Sequence, residues 1–227
     1  MENNKYDLIV LGSGPGGYVA AIRASQLGMR TAVVEKENLG GVCLNWGCIP
    51  TKALLKSAQV FEYLSHAADY GITVPEGADK DFSKVIARSR SVASQMSKGI
   101  EYLMKKNKIY VITGTGKVFP GHKVEVESPD WEKTQYQANN IIIATGARSR
   151  SLPALPQDGS GIIGYREALT LEKQPEAMVV VGSGAIGTEL AYFYNAMGTK
   201  VTLVEFLPSI VPVEDDDVSR ELERIFR

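Results

Sequence analysis

The 227-residue chain sets 25 lysines and arginines against 26 aspartates and glutamates, so neither nucleic acid nor an anionic membrane is an expected partner. Its hydrophobic share of 44% and charged share of 22% describe an ordinary globular protein, long enough for one large domain or two small ones. No apolar run approaches the length of a membrane span, and Met1-Glu2-Asn3-Asn4-Lys5 leads into a strand-like segment without a secretory core; a cytoplasmic location is the expectation.

Tyr6 to Leu11 is a short apolar run ending in Gly12-Ser13-Gly14-Pro15-Gly16-Gly17. An alanine-rich helical pattern follows from Tyr18 to Leu27, with Gly28 as its C-cap, and Thr31 to Glu35 reads as a second buried strand. Strand, glycine turn, helix, strand and terminal acid make a dinucleotide-binding unit. In it Gly12 permits the tight turn, Gly14 lets backbone amides approach a pyrophosphate, and Gly17 lets the helix pack on the strand. The helix N-terminus offers amides and a positive dipole end to phosphate, and Glu35 is placed to accept ribose hydroxyls.

Both cysteines of the chain fall in the next stretch, Gly40-Gly41-Val42-Cys43-Leu44-Asn45-Trp46-Gly47-Cys48-Ile49-Pro50-Thr51-Lys52. On regular helix their Cα atoms would stand roughly 8.6 Å apart, beyond the reach of about 7 Å that a disulfide allows. A bonded pair therefore demands a break between them, which Asn45, Gly47 and Pro50 permit. Two separate buried thiols are the plain alternative; a reversible dithiol/disulfide is the reading the neighbouring residues favour, since stable structural disulfides are rare in a reducing compartment.

Thr51 to Tyr70 is helical in pattern, and Asp81 is the expected N-cap of a helix running to about Lys106. Lys84, Arg88, Arg90, Lys98, Lys105, Lys106 and Lys108 are expected to form a solvated face. Lys108 to Val126 and Tyr136 to Ile143 read as short strands, with turns at Gly114-Thr115-Gly116 and Pro120-Gly121-His122. Ile141 to Ile143 emerges into Ala144-Thr145-Gly146-Ala147, and Ser149 to Gly164 reads as a connection. His66 and His122 have no metal-ligand spacing around them, and no metal site is assigned.

The first unit then recurs. Residues 8–35 align without a gap on 178–205: Gly182, Ser183, Gly184, Gly187, Gly198 and Glu205 match Gly12, Ser13, Gly14, Gly17, Gly28 and Glu35. One chain is thus expected to bind two dinucleotides, and the charge of Glu205 where a 2′-phosphate would sit favours NAD over NADP. Asp215-Asp216-Asp217 is expected to cap a helix from Val218. With few strands after Glu205, the chain reads as a piece of a longer protein.

The cysteine stretch, the two fingerprints and Ala144-Thr145-Gly146 together resemble the pyridine nucleotide–disulfide oxidoreductases, and within them the branch that oxidises dihydrolipoyl groups. The resemblance covers the whole chain. It implies an α/β fold: a Rossmann-like FAD-binding domain over residues 1–148, with a parallel sheet, helices and a small antiparallel element, then a truncated Rossmann-like NAD-binding domain over 149–227. The family's C-terminal interface domain, with its acid–base histidine and glutamate, would be absent, so this chain alone is expected to be a poor catalyst.

The resemblance also implies site residues. Cys43 would exchange with the dithiol substrate, and Cys48 would lie against the flavin and form a thiolate charge-transfer complex with it. Lys52 would approach the flavin and pair with Glu189. Gly12, Ser13, Gly14, Pro15, Gly16, Gly17, Glu35, Lys36, Gly40, Gly41, Val42, Cys43, Lys52, Gly116, Thr145, Gly146 and Ala147 would line FAD. Gly182, Ser183, Gly184, Ala185, Ile186, Gly187, Glu189 and Glu205 would hold NAD. Trp46 departs from the family's usual valine. The implied partner is a lipoyl-bearing protein of a 2-oxo acid dehydrogenase or glycine cleavage complex, with a homodimer for the complete protein and a part in redox homeostasis. Two other readings stay open: a related NAD(P)H-dependent disulfide or mercuric reductase, and a non-catalytic nucleotide-binding module with redox-sensing cysteines.

Overall fold

The structure, a computed structural model, describes residues 4–75 and 77–226; Met1–Asn3 of the N-terminal stretch read above, Glu76 and Arg227 lie outside the described residues. The chain divides into two compact units, Met1–Ile49 with Ser91–Leu152 and Pro50–Arg90 with Pro153–Arg227.

The first unit is built on a six-stranded sheet in the order β3-β2-β1-β6-β5-β4. Strands β1 (Lys5–Leu11), β2 (Thr31–Glu35), β3 (Tyr110–Thr113) and β6 (Lys133–Ile143) run parallel, while β4 (Thr115–Phe119) and β5 (Lys123–Glu127) form an antiparallel meander with the start of β6. The β1 run is continuously apolar because both of its faces are covered. Leu8, Val10 and Val33 meet Ala21 and Ala24 of helix α1 (Pro15–Gln26) and Ile100 and Met104 of helix α4 (Phe82–Lys106). Ile9, Leu11, Ala32 and Val34 meet Val124, Val126 and Ala138 on the other side. Helix α1 stops where expected: Gly28 N–H donates to Ser25 O at 2.9 Å and Met29 N–H to Ala24 O at 3.1 Å, the bond pair of a Schellman end.

The second unit contains most of helix α3 (Cys48–Ser65), a 3-10 turn (Ala67–Tyr70), the start of α4, helix α5 (Tyr165–Ala168), strand β7 (Ala177–Val181), helix α6 (Ala185–Ala196), strand β8 (Lys200–Val204) and helix α7 (Asp216–Phe226). Its core gathers Leu54, Ala58, Ile86, Leu169 and Met197 around Phe193 and Tyr194, whose rings meet edge to face at 5.0 Å. Tyr194 Oη donates to Ala168 O at 2.5 Å, and burial pushes its phenol up.

The repeat read from sequence is a repeat in space. Strand β1 pairs with β2 from Leu8↔Thr31 to Leu11↔Val34, and β7 with β8 from Met178↔Val201 to Val181↔Val204, the same register displaced by 170 positions. Helix α6 ends as α1 does, with Gly198 N–H on Asn195 O at 2.7 Å and Thr199 N–H on Tyr194 O at 3.0 Å.

Asp81 caps α4: its Oδ1 accepts Lys84 N–H at 3.1 Å and the Ser83 hydroxyl at 2.6 Å. Lys84, Arg88, Lys98, Lys105, Lys106 and Lys108 are exposed, as the expected solvated face requires. Arg88 reaches back to α3, donating to Ala53 O at 2.8 Å and Ser57 Oγ at 3.2 Å, Arg90 is half-buried, and Lys108 lies past the helix end. Guanidinium stems carry enough apolar length to lie across a neighbouring helix while the head finds acceptors. Helix α7 starts at Asp216 rather than Val218, because Asp215 Oδ1 already takes Asp217 N–H at 2.8 Å.

Candidate functional site

The two glycine turns are built alike. Gly12 N–H donates to Val34 O, and Gly182 N–H to Val204 O, each at 2.8 Å. A Cβ on Gly17 would stand 1.9 Å from Gly12 O and one on Gly187 2.0 Å from Gly182 O, so only glycine lets either helix come this close to its turn. Positions Gly14 and Gly184 face open space. They are the N-cap residues of α1 and α6, and no side chain caps either helix. A first turn left in this state, with Gly16 in one (Pro15 has no N–H to offer) and Ala185 and Ile186 in the other, presents amides and a positive dipole end to an anion.

Each turn is locked to its acid. Glu35 Oε2 accepts the Ser13 N–H at 3.0 Å and hydroxyl at 2.5 Å, while Oε1 accepts the N–H groups of Lys36 at 2.8 Å and Glu37 at 2.9 Å. Glu205 repeats this with Ser183 N–H at 2.8 Å, Ser183 hydroxyl at 2.6 Å, Phe206 N–H at 2.8 Å and Leu207 N–H at 3.0 Å. These bonds, led by that from Leu207, pull the Glu205 carboxyl down to about 2.

The cysteine stretch leaves directly from the first turn. Gly40 N–H donates to Ser13 O at 3.1 Å and to Ser13 Oγ at 3.2 Å, and a Cβ on Gly41 would meet Gly14 Cα at 2.8 Å. A six-residue helix, α2 (Gly41–Trp46), carries Val42 and Cys43. Asn45, buried, holds its base by donating Nδ2–H to Leu39 O at 3.0 Å and Gly41 O at 2.9 Å. Gly47, with φ −143° and ψ −114°, breaks the helix, and α3 starts at Cys48. The cysteines therefore lie on two helices, as bonding them would require. In this structure, however, they are thiols: half-buried Cys43 and exposed Cys48 are not joined, and the expected disulfide is the form that is not seen.

Other predicted residues of the first unit share the edge where its parallel strands end. Thr145, Gly146 and Ala147 follow β6, whose exit is fixed by Ala144 N–H on Leu11 O at 2.8 Å. Gly116 lies on β4, where a Cβ would meet Leu11 Cδ2 at 2.7 Å. In the second unit Lys52, one turn into α3, makes an ion pair with Glu189 of α6, two residues beyond Gly187. With Lys52 61% exposed the pair is worth little as a stabilising contact. Among the described residues no group of three histidines, cysteines or acids is arranged to hold a metal, and no helix is long and apolar enough to cross a membrane.

Residues 6–227 match the family model described as pyridine nucleotide-disulphide oxidoreductase. The chain belongs to that family. This oxidoreductase chain is 49% identical over 228 residues to a dihydrolipoyl dehydrogenase of Rhizobium etli, an alignment covering 94% of the chain and 47% of the relative. It is 49% identical to one of Zymomonas mobilis over 98% of the chain and 47% of the relative. Among solved structures it is similar to LpdA from Mycobacterium tuberculosis (TM-score 0.87, 28% identity, 98% of this chain and 49% of that one). It is also similar to the HOCl-induced flavoprotein disulfide reductase RclA from Escherichia coli (TM-score 0.82, 28% identity, 98% and 47%). The chain spans about half the length of the curated relatives it matches.

In the sequence of this pyridine nucleotide-disulphide oxidoreductase, Ser13 and Ser183 stand as lining residues with no particular task. The structure gives each hydroxyl a defined pair of partners. The signal was present: serine stands at the same position of both copies of the repeat.

Proposed function

We propose that this chain carries the FAD, NAD and redox-cysteine machinery of an enzyme that oxidises protein-bound dihydrolipoyl groups with NAD⁺. The observation that supports it most is the direct attachment of the cysteine loop to the first glycine turn, through Ser13 and Gly40. A dinucleotide held at that turn has the two sulfurs on the next segment of chain. Residues 1–148 are proposed as the FAD part and 149–227 as a partial NAD part. The names of the relatives favour the dihydrolipoyl substrate. With that substrate the reading carries a lipoyl-bearing protein of a 2-oxo acid dehydrogenase or glycine cleavage complex as partner, a homodimer for the whole protein and a cytoplasmic setting.

The residues present fit both cofactors. Open space at Gly14 and Gly184, uncapped helix starts and a carboxylate at each second strand suit a pyrophosphate and a ribose. Gly12–Gly17, Glu35, Lys36, Gly40–Cys43, Lys52, Gly116 and Thr145–Ala147 would hold FAD; Gly182–Gly187, Glu189 and Glu205 would hold NAD. When bound, FAD supplies the two-electron relay between a dithiol and nicotinamide that sulfur alone lacks.

In the disulfide form, one substrate thiolate attacks Cys43 and Cys48 leaves as the thiolate. The second substrate thiolate then displaces Cys43. The substrate departs as a disulfide, and its two electrons reside on the Cys43 and Cys48 dithiol. Lys52 stands one turn along α3 from Cys48 and is held there by its ion pair with Glu189.

The test is reconstitution. Incubated with FAD and desalted, the chain is expected to retain a flavin absorption band that dihydrolipoamide bleaches. Cys43→Ser and Cys48→Ser are each expected to retain the band and lose the bleaching. A wild-type chain that retains flavin but is not reduced by dihydrolipoamide, while NADH reduces it, would move the reading to another disulfide reductase. Colourless protein after incubation would count against FAD itself.

A further inference from the structure

We propose that Ser183 is a positioning residue that makes the second nucleotide site selective: by holding the Glu205 carboxylate in one orientation, it sets the preference for an unphosphorylated ribose over a 2′-phosphorylated one. The inference rests on the reading of Gly182–Glu205 as a nicotinamide dinucleotide site and names what enforces its choice.

A glutamate at the end of a strand discriminates against a 2′-phosphate only if its charge cannot be turned aside. An exposed glutamate has three rotatable torsions and can swing its carboxylate into water, exchanging repulsion for hydration at small cost. Glu205 is held at both oxygens. Oε1 is pinned by the Phe206 and Leu207 amides, which move only with the backbone. Oε2 is pinned by Ser183, through its amide at 2.8 Å and its hydroxyl at 2.6 Å. The hydroxyl bond is charge-assisted, the stronger class of hydrogen bond.

Ser183 is itself fixed. It is fully buried, and its Oγ accepts Val211 N–H at 3.1 Å, so the hydroxyl proton is directed to Glu205 and the loop after β8 closes over the serine. The same arrangement recurs in the first unit with Ser13, Glu35 and Gly40, including the amide on Oγ at 3.2 Å. An arrangement of this detail built twice in one chain is a constraint on the acid rather than an accident of one loop. Removing the hydroxyl leaves nothing stranded: Val211 N–H also donates to Ser183 O at 3.2 Å, so Ser183→Ala is expected to fold.

The experiment measures NADH and NADPH dissociation constants for the purified 227-residue chain, by quenching of intrinsic fluorescence, in the wild type, Ser183→Ala and Ser13→Ala. A thermal melt of each variant accompanies the titrations. Wild type is expected to prefer NADH. Ser183→Ala is expected to narrow that preference by roughly three- to tenfold, the equivalent of one such hydrogen bond, by weakening NADH and relieving NADPH. Ser13→Ala removes the matching bond in the other unit and is expected to keep the wild-type ratio. Equal weakening of both dinucleotides in Ser183→Ala, or no change in their ratio, overturns the proposal and leaves the NAD reading standing. Wild type that binds neither dinucleotide overturns both. Should Ser183→Ala melt early, Ser183→Gly gives the same ratio test without a methyl group in the buried position.

Discussion

A carboxylate that accepts four protein hydrogen bonds is reluctant to take a proton, and Glu205 is depressed from 4.5 to about 2 for that reason. Asp81, led by the Ser83 hydroxyl and then the Lys84 amide, is depressed from 3.8 to about 2. For both groups the folded value lies below the unfolded one. Their stabilising contribution is therefore complete above about pH 4.5 and is lost as pH falls through about 2. The unfolding temperature is expected to drop across that window in circular-dichroism melts. Asp81→Asn, which keeps a capping side chain without a titrating group, should flatten the drop and lower the melt near pH 7, where the ionised carboxylate makes its full contribution. Both acids were legible in the sequence, one from its place before a helix and the other from the repeat. The serine hydroxyl that grips Glu205 was not, because a side chain's partner across 22 residues is decided by how a loop folds back, which no local spacing encodes. The cysteines divide the same way: the need for a helix break between them could be computed, whereas the dithiol form is a redox state that a sequence does not specify.

Among elements, α6 is the most dependent on packing. Phe193 and Tyr194, adjacent on this helix, are both fully buried, and Phe82 of α4 stacks on them with centroids at 6.2 and 6.1 Å. Phe193→Ala is expected to destabilise the second unit by about 3–5 kcal/mol, read from urea unfolding, because the void left in a core of rings cannot fully close. Helix α2 depends instead on one polar residue. At six residues it is far too short to persist on intrinsic propensity, and Asn45 ties it to Leu39 and Gly41. Asn45→Ala is expected to raise the rate at which a disulfide reagent modifies Cys43 severalfold while leaving the global melt within a few degrees. The apolar run of β1 and the Asp81-capped, amphipathic α4 were readable from pattern and cap alone. The start of α7 was missed by two residues and the bonds of Arg88 to α3 were not foreseen, since a charged side chain crossing to a neighbouring helix looks no different in sequence from one facing water.

At the scale of the whole molecule, the duplicated strand–turn–helix–strand was the most legible feature, because Gly17 and Gly187 are required by close backbone approach and Gly12 and Gly182 by a left-handed φ of 96°. Which residues cluster into which unit was less so: 50–90 packs with 153–227, although only the second of these stretches carries a nucleotide fingerprint. Strand β6 has its own consequence. Its first residues, Lys133–Gln137, pair with β5 before the strand runs on beside β1, and Gln137 faces Lys123 on one flank and Lys5 on the other. The hairpin thus acts as a ruler for the sheet's far end: a residue inserted after Gln137 would advance the remaining strand by one pleat, exchange inward and outward side chains, and shift Thr145 from its place after β6. Such an insertion should abolish flavin retention even where the meander itself still forms.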